Sequence, residues 1–320
     1  KDKYRKNQQE DANRGKSNMN STPLYKELFA RVSSELKTLL DKPEETPEGT
    51  LNALWHAAAG EPKSVQLSNE FELPHLNDEA VSKLYKLVEQ RLAGVPLAHL
   101  TGRQRFMGVE LLSGPEALIP RKETELLGYA ALNVLREISS QYDKTTVIDV
   151  CTGSANLASA LAFHEPKARI FASDISAEAV ALASRNVAHL GLENRVEVLQ
   201  GDLLSPFDSE TFYGNIDLLT CNPPYISSAK VDKMPEEISK YEPQLAFDGG
   251  VFGVKILQRF ISEAPRFLRK GGWLAFEVGY GQGAAIMSRL GKDKNFADLQ
   301  SVKDESGEIR ALLACKTSIN

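Results

Sequence analysis

Residues 147–156 read VIDVCTGSAN, a short apolar run that ends in small residues just before a helical pattern opens at Asn156. Such a run predicts a buried strand at 147–150 that feeds a helix through a tight turn. The same unit recurs downstream. IFAS at 170–173 predicts a second strand, followed by a helix capped by Ser176 with Val180, Ala183, Val187 and Leu190 turned inward. VEVL at 196–199 and IDLLT at 216–220 predict two more strands, a helix spans 254–268, and WLAFEV at 273–278 gives a fifth strand. Short apolar strands alternating with amphipathic helices imply an α/β fold, a mostly parallel sheet with both faces covered. Segments near 299–302 and 309–315, joined by Glu305-Ser306-Gly307, can close that sheet as an antiparallel hairpin.

Upstream the pattern changes. Leu24, Leu28, Val32, Leu36 and Leu39 fall at helical spacing, Leu51, Leu54, Trp55 and Ala58 suggest another helix, and Val81, Leu84, Leu87 and Leu92 follow an Asn77-Asp78 capping signal. RQRFMGVELL at 103–112 alternates around Met107-Gly108 and predicts a hairpin. The expected organisation is a flexible tail at 1–21, a small helical domain at 22–95 that docks substrate, a connector with the hairpin at 96–125, and the α/β domain at 126–320. The tail has almost nothing apolar to bury, which predicts mobility, and the absence of Met at position 1 suggests trimming.

Across 320 residues, 42% are hydrophobic and 25% charged, ordinary globular values that exclude collagen-like, wholly disordered and disulfide-scaffold classes. Lys and Arg number 38 against 43 Asp and Glu, a net charge of −5, so the excess cation of a dedicated nucleic-acid binder is missing. Cys151, Cys221 and Cys315 stand far apart without metal-ligand spacing, and the five histidines show no ligand pattern. No apolar run reaches the roughly 18 residues needed to span a bilayer, and the amino terminus lacks a signal-peptide core. The expectation is a cytoplasmic protein with no metal, no membrane and no direct nucleic-acid partner.

In an open doubly wound sheet, ligands bind beyond the carboxyl ends of the strands. The small-residue turn Cys151-Thr152-Gly153-Ser154-Ala155 lets the backbone approach a ligand. Asp174, ending the second strand, is placed to accept from ribose hydroxyls, although a helix cap is the competing use. After the third strand, Asp202 can accept from an adenine amino group while Leu203 packs on the ring. The fourth strand is followed by Asn222-Pro223-Pro224-Tyr225. Its prolines fix the backbone and remove two donors, leaving the Asn222 side-chain oxygen and the Pro223 carbonyl as rigid acceptors that match the two hydrogens of a planar NH2 group. Tyr225 offers an aromatic face for that group.

An Asp-rich first turn followed by NPPY resembles the class I S-adenosylmethionine-dependent methyltransferases that alkylate planar NH2 nitrogens, with a Rossmann-like sheet. Within them the chain most resembles the release-factor glutamine methyltransferase family. The resemblance covers residues 24–315. It rests on PLAHLTG at 96–102, LIPRKETEL at 118–126, NPPYI at 222–226, Tyr241-Glu242-Pro243, Glu277-Val278-Gly279 with Gln282, and Asp304 through Gly307 to Arg310. The chain departs from the family pattern at Cys151 and Ala155, where glycines are usual, at Lys122, where proline is usual, and at Val251-Phe252-Gly253, where an acidic segment is common.

The resemblance implies S-adenosyl-L-methionine as cofactor and, as substrate, the glutamine amide in the Gly-Gly-Gln loop of a peptide-chain release factor. It further implies that Asp149 and the backbone from Cys151 to Ala155 hold the methionine part, Asp174 and Ile175 the ribose side, and Asp202 and Leu203 the adenine. Asn222, Pro223 and Tyr225 are the expected catalytic residues, with Pro224, Arg121 and Glu123 shaping the substrate mouth; a salt-bridge role for Arg121 and Glu123 is the alternative. Competing readings are a paralogue acting on a glutamine of another protein, such as a ribosomal protein, or on a small amide. A nucleic-acid adenine methyltransferase and a cofactor-binding adaptor without turnover also stay open.

Overall fold

The computed structural model of the chain describes residues 22–39, 42–227, 234–250 and 253–317; the expected tail at 1–21, with Val251 and Phe252, lies outside the described residues. The chain divides into two compact units, residues 1–105 and 106–320, a division that runs through the segment expected as a connector.

The first unit contains α1 (Pro23–Glu35), α2 (Pro47–Ala58), the single turn α3 (Val65–Ser68), α4 (Asp78–Leu92) and α5 (Leu97–Thr101). Thr22, Thr46, Ser64 and Asn77 each stand before one of the first four helices and accept a backbone N–H of its first turn. Leu28, Leu51, Leu54, Leu84 and Val88 are fully buried between these helices, each contributing about 1.5–3 kcal/mol. The Trp55 indole N–H, inside the same core, donates to the Pro74 carbonyl at 2.8 Å. The apolar stripe expected to run to Leu39 stops earlier, because α1 ends at Glu35 and Leu36 turns extended. Ser33 and Ser34 weaken the last turn, and the Ser34 hydroxyl competes for the Arg31 carbonyl at 2.9 Å.

Strands β1 (Arg103–Phe106) and β2 (Val109–Leu112) form the expected hairpin. Met107 and Gly108 both take positive φ, 48° and 80°, as a two-residue turn with right-handed twist requires.

The second unit continues with α6 (Thr124–Gln141), β3 (Thr145–Val150), α7 (Asn156–His164), β4 (Ala168–Asp174), α8 (Ala177–His189), β5 (Val196–Gln200) and β6 (Ile216–Cys221). Then follow α9 (Glu236–Tyr241), α10 (Lys255–Phe267), β7 (Leu268–Glu277), α11 (Gly283–Leu290), β8 (Phe296–Lys303) and β9 (Ile309–Lys316). A seven-stranded sheet runs β5-β4-β3-β6-β7-β9-β8. Its first five strands are parallel, and β9 pairs antiparallel with both β7 and β8, so the carboxyl-terminal hairpin closes the sheet.

Period-two alternation divides the interior into two cores. Val147, Leu218, Ala275 and Leu313 join the core shared with α6 and α7, while Ile148, Leu219, Leu274 and Leu312 join the one under α10. The chain builds outward from β3 through β4 to β5, then returns to place β6 on the other side of β3. That reversal opens a crevice at the carboxyl ends of β3 and β6, where Asp149 lies level with Thr220 and Val150 with Cys221. β7 starts five residues before the expected WLAFEV segment because Gly271 and Gly272 accommodate an irregularity in its pairing with β6.

Candidate active site

The turn after β3 is wound tightly. Cys151, Gly153 and Ala155 all lie in the left-handed region, with φ of 54°, 55° and 59°. Only glycine adopts that region without strain, so Cys151 and Ala155 store backbone strain of roughly 1–2 kcal/mol each. The turn persists because it is tied at both ends. Thr152 donates its N–H to the Ser173 carbonyl at 3.0 Å, and Gly153 donates its own to Asp174 Oδ2 at 2.9 Å. Ala155, fully buried, stands immediately before α7 without capping it by a side chain.

Two carboxylates face this turn. Asp149 is buried and accepts from the hydroxyls of Thr152 at 2.6 Å and Thr220 at 2.7 Å. Burial pushes its carboxyl up to about 6; the two hydroxyls pull against that shift, and neighbouring Asp174 adds to it. Asp174 accepts from the backbone N–H of Gly153 and, at 3.0 Å, of Ser176, while the Ser176 hydroxyl caps α8. Burial raises its carboxyl too, offset by those N–H groups. Asp202, beyond β5, is exposed and receives both oxygens' bonds from one guanidinium nitrogen of Arg259, at 3.2 and 3.0 Å. Leu203 is buried and left-handed, with φ of 52°, and its carbonyl accepts from the Ser173 hydroxyl at 2.7 Å.

Opposite them, Asn222-Pro223-Pro224-Tyr225 leaves the end of β6. The segment is held by hydrogen bonds to its backbone and by the packing of Ile226 against Ile238 and Phe247. Ile226 donates its N–H to Phe247 and accepts from Gly249, at 3.0 and 2.8 Å. Gln282 spans Tyr225 and Gly253 by donating to both carbonyls, and its own carbonyl accepts from Gly279. A methyl on Gly249 would stand 2.5 Å from the Pro224 oxygen, and one on Gly253 2.1 Å from the Tyr225 oxygen. Those two positions are glycine because the NPPY backbone passes against them.

Between the two turns lies a cavity of about 250 Å³. Asp149, Cys151, Thr152, Gly153, Asp174, Ile175, Asp202, Leu203, Asn222, Pro224 and Arg121 line it. Ile175 and Leu245, about half exposed, are apolar side chains on its wall. Among the described residues, no group of three or more His, Cys, Asp or Glu is arranged to hold a metal ion, and no helix is long and apolar enough to cross a membrane.

A family model described as a methyltransferase domain matches residues 141–313. A relative from Moorella thermoacetica, named release factor glutamine methyltransferase, is 37% identical over 235 residues, which cover 73% of this chain and 80% of the relative. The chain belongs to the release factor glutamine methyltransferase family. A similarly named relative from Caulobacter vibrioides is 30% identical over 281 residues, 88% of this chain and 93% of its own. Among solved structures, the amino-terminal domain of human METTL16 in complex with SAH shares the fold, with a TM-score of 0.51 at 14% identity over 89% of this chain and 99% of that one.

For a release factor glutamine methyltransferase the sequence-predicted residues converge unevenly. Ser154, Ala155, Pro223, Tyr225 and Glu123 do not line the cavity. Ser154 and Ala155 are buried under the turn. Tyr225, expected to present its ring, instead donates its hydroxyl to Glu277 Oε1 at 2.9 Å, and burial drives its phenol well above the ordinary value. Arg121 lines the cavity and also pairs with Glu242, whose other oxygen accepts from Ile119 N–H at 2.8 Å. Glu123 precedes α6 without capping it by a side chain. Gly249 and Arg259 received no sequence assignment, and Thr124, Glu277, Gly279 and Gln282 were legible only as parts of the motifs that carry the resemblance.

Proposed function

We propose that this chain transfers a methyl group from S-adenosylmethionine to the side-chain amide nitrogen of the glutamine in the Gly-Gly-Gln loop of a peptide-chain release factor. The observation that carries the proposal is that Asn222 and Pro224, of the rigid NPPY turn, line the same cavity as the Asp149 and Asp174 carboxylates. The residues present fit the cofactor. Asp149 supplies buried negative charge, the turn at Cys151–Gly153 close backbone, Asp174 acceptors, and Ile175 and Leu245 exposed apolar surface for a planar ring. When bound, S-adenosylmethionine supplies an electrophilic methyl on a sulfonium.

The protein's part is to hold and aim the amide. An amide nitrogen is a poor nucleophile, and positioning can supply up to about 7–11 kcal/mol of its barrier. Asn222 Oδ1, on the cavity wall, takes one amide hydrogen, and the Pro223 carbonyl, outside the lining of the ligand-free cavity, takes the other once the amide is seated, so that the nitrogen lone pair turns toward the methyl. Both hydrogen bonds strengthen as positive charge develops on nitrogen, so they favour the transition state. Asp174 accepts from the backbone N–H of Gly153 through Oδ2 and of Ser176 through Oδ1, and its remaining lone-pair capacity is what the ribose hydroxyls would use. Asp202, shared with Arg259, keeps comparable capacity for the adenine amino group. The helical segment 22–95 docks the protein substrate, and the enzyme works in the cytoplasm, where its substrate terminates translation.

The test compares acceptors. With labelled cofactor, a release factor should take up methyl, and the same factor with its loop glutamine replaced by asparagine should not. Preferential labelling of an adenine-containing oligonucleotide or of a ribosomal protein would overturn the substrate assignment.

A further inference from the structure

An asparagine side chain has two unlike ends, and only its oxygen can accept a hydrogen from the glutamine amide. Something must decide which end faces the cavity. Asn222 Nδ2 donates to the Thr124 hydroxyl oxygen at 3.1 Å, a contact made across 98 positions of sequence. Thr124 is the first residue of α6, almost completely buried, and it lines the cavity beside Asn222. Behind it lies Glu277, the last residue of β7 and 1% exposed, which already accepts from Tyr225. Its Oε1 takes the Tyr225 hydrogen at 2.9 Å, while its Oε2 is buried with no hydrogen-bond partner, an acceptor open to the nearby Thr124 hydroxyl.

We propose that Thr124 is a positioning residue which, with its hydroxyl hydrogen held by Glu277, fixes the Asn222 amide with its oxygen toward the cavity. The inference rests on the proposed role of Asn222 as an acceptor. A threonine hydroxyl has one hydrogen and two lone pairs. A carboxylate can only accept, so it claims the hydrogen and leaves lone pairs facing Asn222. Asn222 must then offer its NH2 group to Thr124, which turns Oδ1 the other way. With the Thr124 hydrogen free, Asn222 could accept from Thr124 through Oδ1 and rotate by half a turn. Its NH2 group would then face the hydrogens of the incoming amide, and the acceptor would be lost. Neither Thr124 nor Glu277 needs to touch the reacting atoms for this to work.

The experiment measures kcat, KM for a release factor and Kd for S-adenosylmethionine in Thr124→Val, Thr124→Ser and Asn222→Ala, and repeats Thr124→Val in an Asn222→Asp background. Thr124→Val keeps shape and loses the hydroxyl; kcat should fall by about 10-fold or more while cofactor Kd stays within about twofold, which also reports that the protein is folded. Thr124→Ser should recover turnover to within about threefold of wild type. Aspartate has two equivalent oxygens and no orientation to fix, so Thr124→Val should cost less in the Asn222→Asp background, whereas a purely structural role would cost the same in both. Near-normal kcat in Thr124→Val beside a collapse in Asn222→Ala overturns the orientation role and leaves the Asn222 reading standing. Equal losses in Thr124→Val and Thr124→Ser overturn it too. Normal turnover in Asn222→Ala overturns the acceptor reading beneath it.

Discussion

Replacing Asp149 by asparagine should change how the cofactor-free protein's stability depends on pH. The carboxyl is buried, and its value rises from 3.8 to about 6 in the folded chain, chiefly through desolvation. A raised acid binds its proton more tightly in the folded than in the unfolded state. Its contribution to stability is therefore fully present below the unfolded value and is lost as pH rises toward and through the folded one. Over the whole window a shift of about two units amounts to roughly 3 kcal/mol, of which roughly 1.4 kcal/mol is lost between about pH 5 and pH 7.5. An asparagine side chain does not titrate, so the variant should lack this loss. A pH-independent offset of about 1 kcal/mol is also expected, because the Thr152 and Thr220 hydroxyls both donate to the carboxylate and one must reverse to accept from an amide NH2 group. Urea unfolding of both proteins without cofactor, at the two pH values, separates the offset from the slope. Wild type should lose about 1.4 kcal/mol more than the variant across the interval. An identical pH dependence in the two proteins would show that Asp149 does not titrate there, and the account of it as a strained buried charge awaiting a cation would fail.

Asp174→Ala should weaken S-adenosylmethionine binding by about 1.5–3 kcal/mol in calorimetry, the value of lost hydrogen bonds to a charged group; unchanged affinity would remove the ribose assignment. Gly253→Ala adds a methyl 2.1 Å from the Tyr225 oxygen at a φ of +67°. It should destabilise the protein by about 2 kcal/mol or more and displace the NPPY turn, seen as a lower denaturation midpoint and a fall in methyl transfer. Ala155→Gly relieves left-handed strain but loses a buried methyl and loosens the unfolded chain, so its denaturant midpoint should stay within about 1 kcal/mol of wild type. Ala158→Gly, equally buried inside α7, should cost about 2 kcal/mol, and equal costs at the two positions would contradict the strain argument.

What could be read without the structure was local. The runs at 147–150 and 216–220 are strands because burial on both faces calls for apolar side chains at most positions, and the polar exceptions, Asp149, Asp217 and Thr220, are buried and hydrogen-bonded. Ser176 and Asn77 cap helices because their oxygens reach an N–H three residues on. The contacts that build the site join positions far apart in the chain. Thr124 with Asn222, Tyr225 with Glu277, and Arg121 with Glu242 are separated by 98, 52 and 121 positions. No periodicity marks such pairs. The left-handed backbone at Cys151, Ala155 and Leu203 was equally hidden, because none of these residue types announces a positive φ; only the resemblance pointed to the first two, through the glycines usual there. Tyr225 shows the limit from the other side. Its place in NPPY suggested an aromatic wall, yet a buried carboxylate on the neighbouring strand claims its hydroxyl and turns it from the cavity.

The central claim is methyl transfer to one amide nitrogen, and position-resolved mass spectrometry tests it most directly. A release factor is incubated with this chain and S-adenosylmethionine carrying a deuterated methyl, then digested and fragmented. The account predicts a single labelled methyl on the side-chain nitrogen of the Gly-Gly-Gln glutamine, and none above background when Asn222→Ala replaces the wild-type chain. Label on a different residue, or undiminished label at that glutamine with Asn222→Ala, would contradict it.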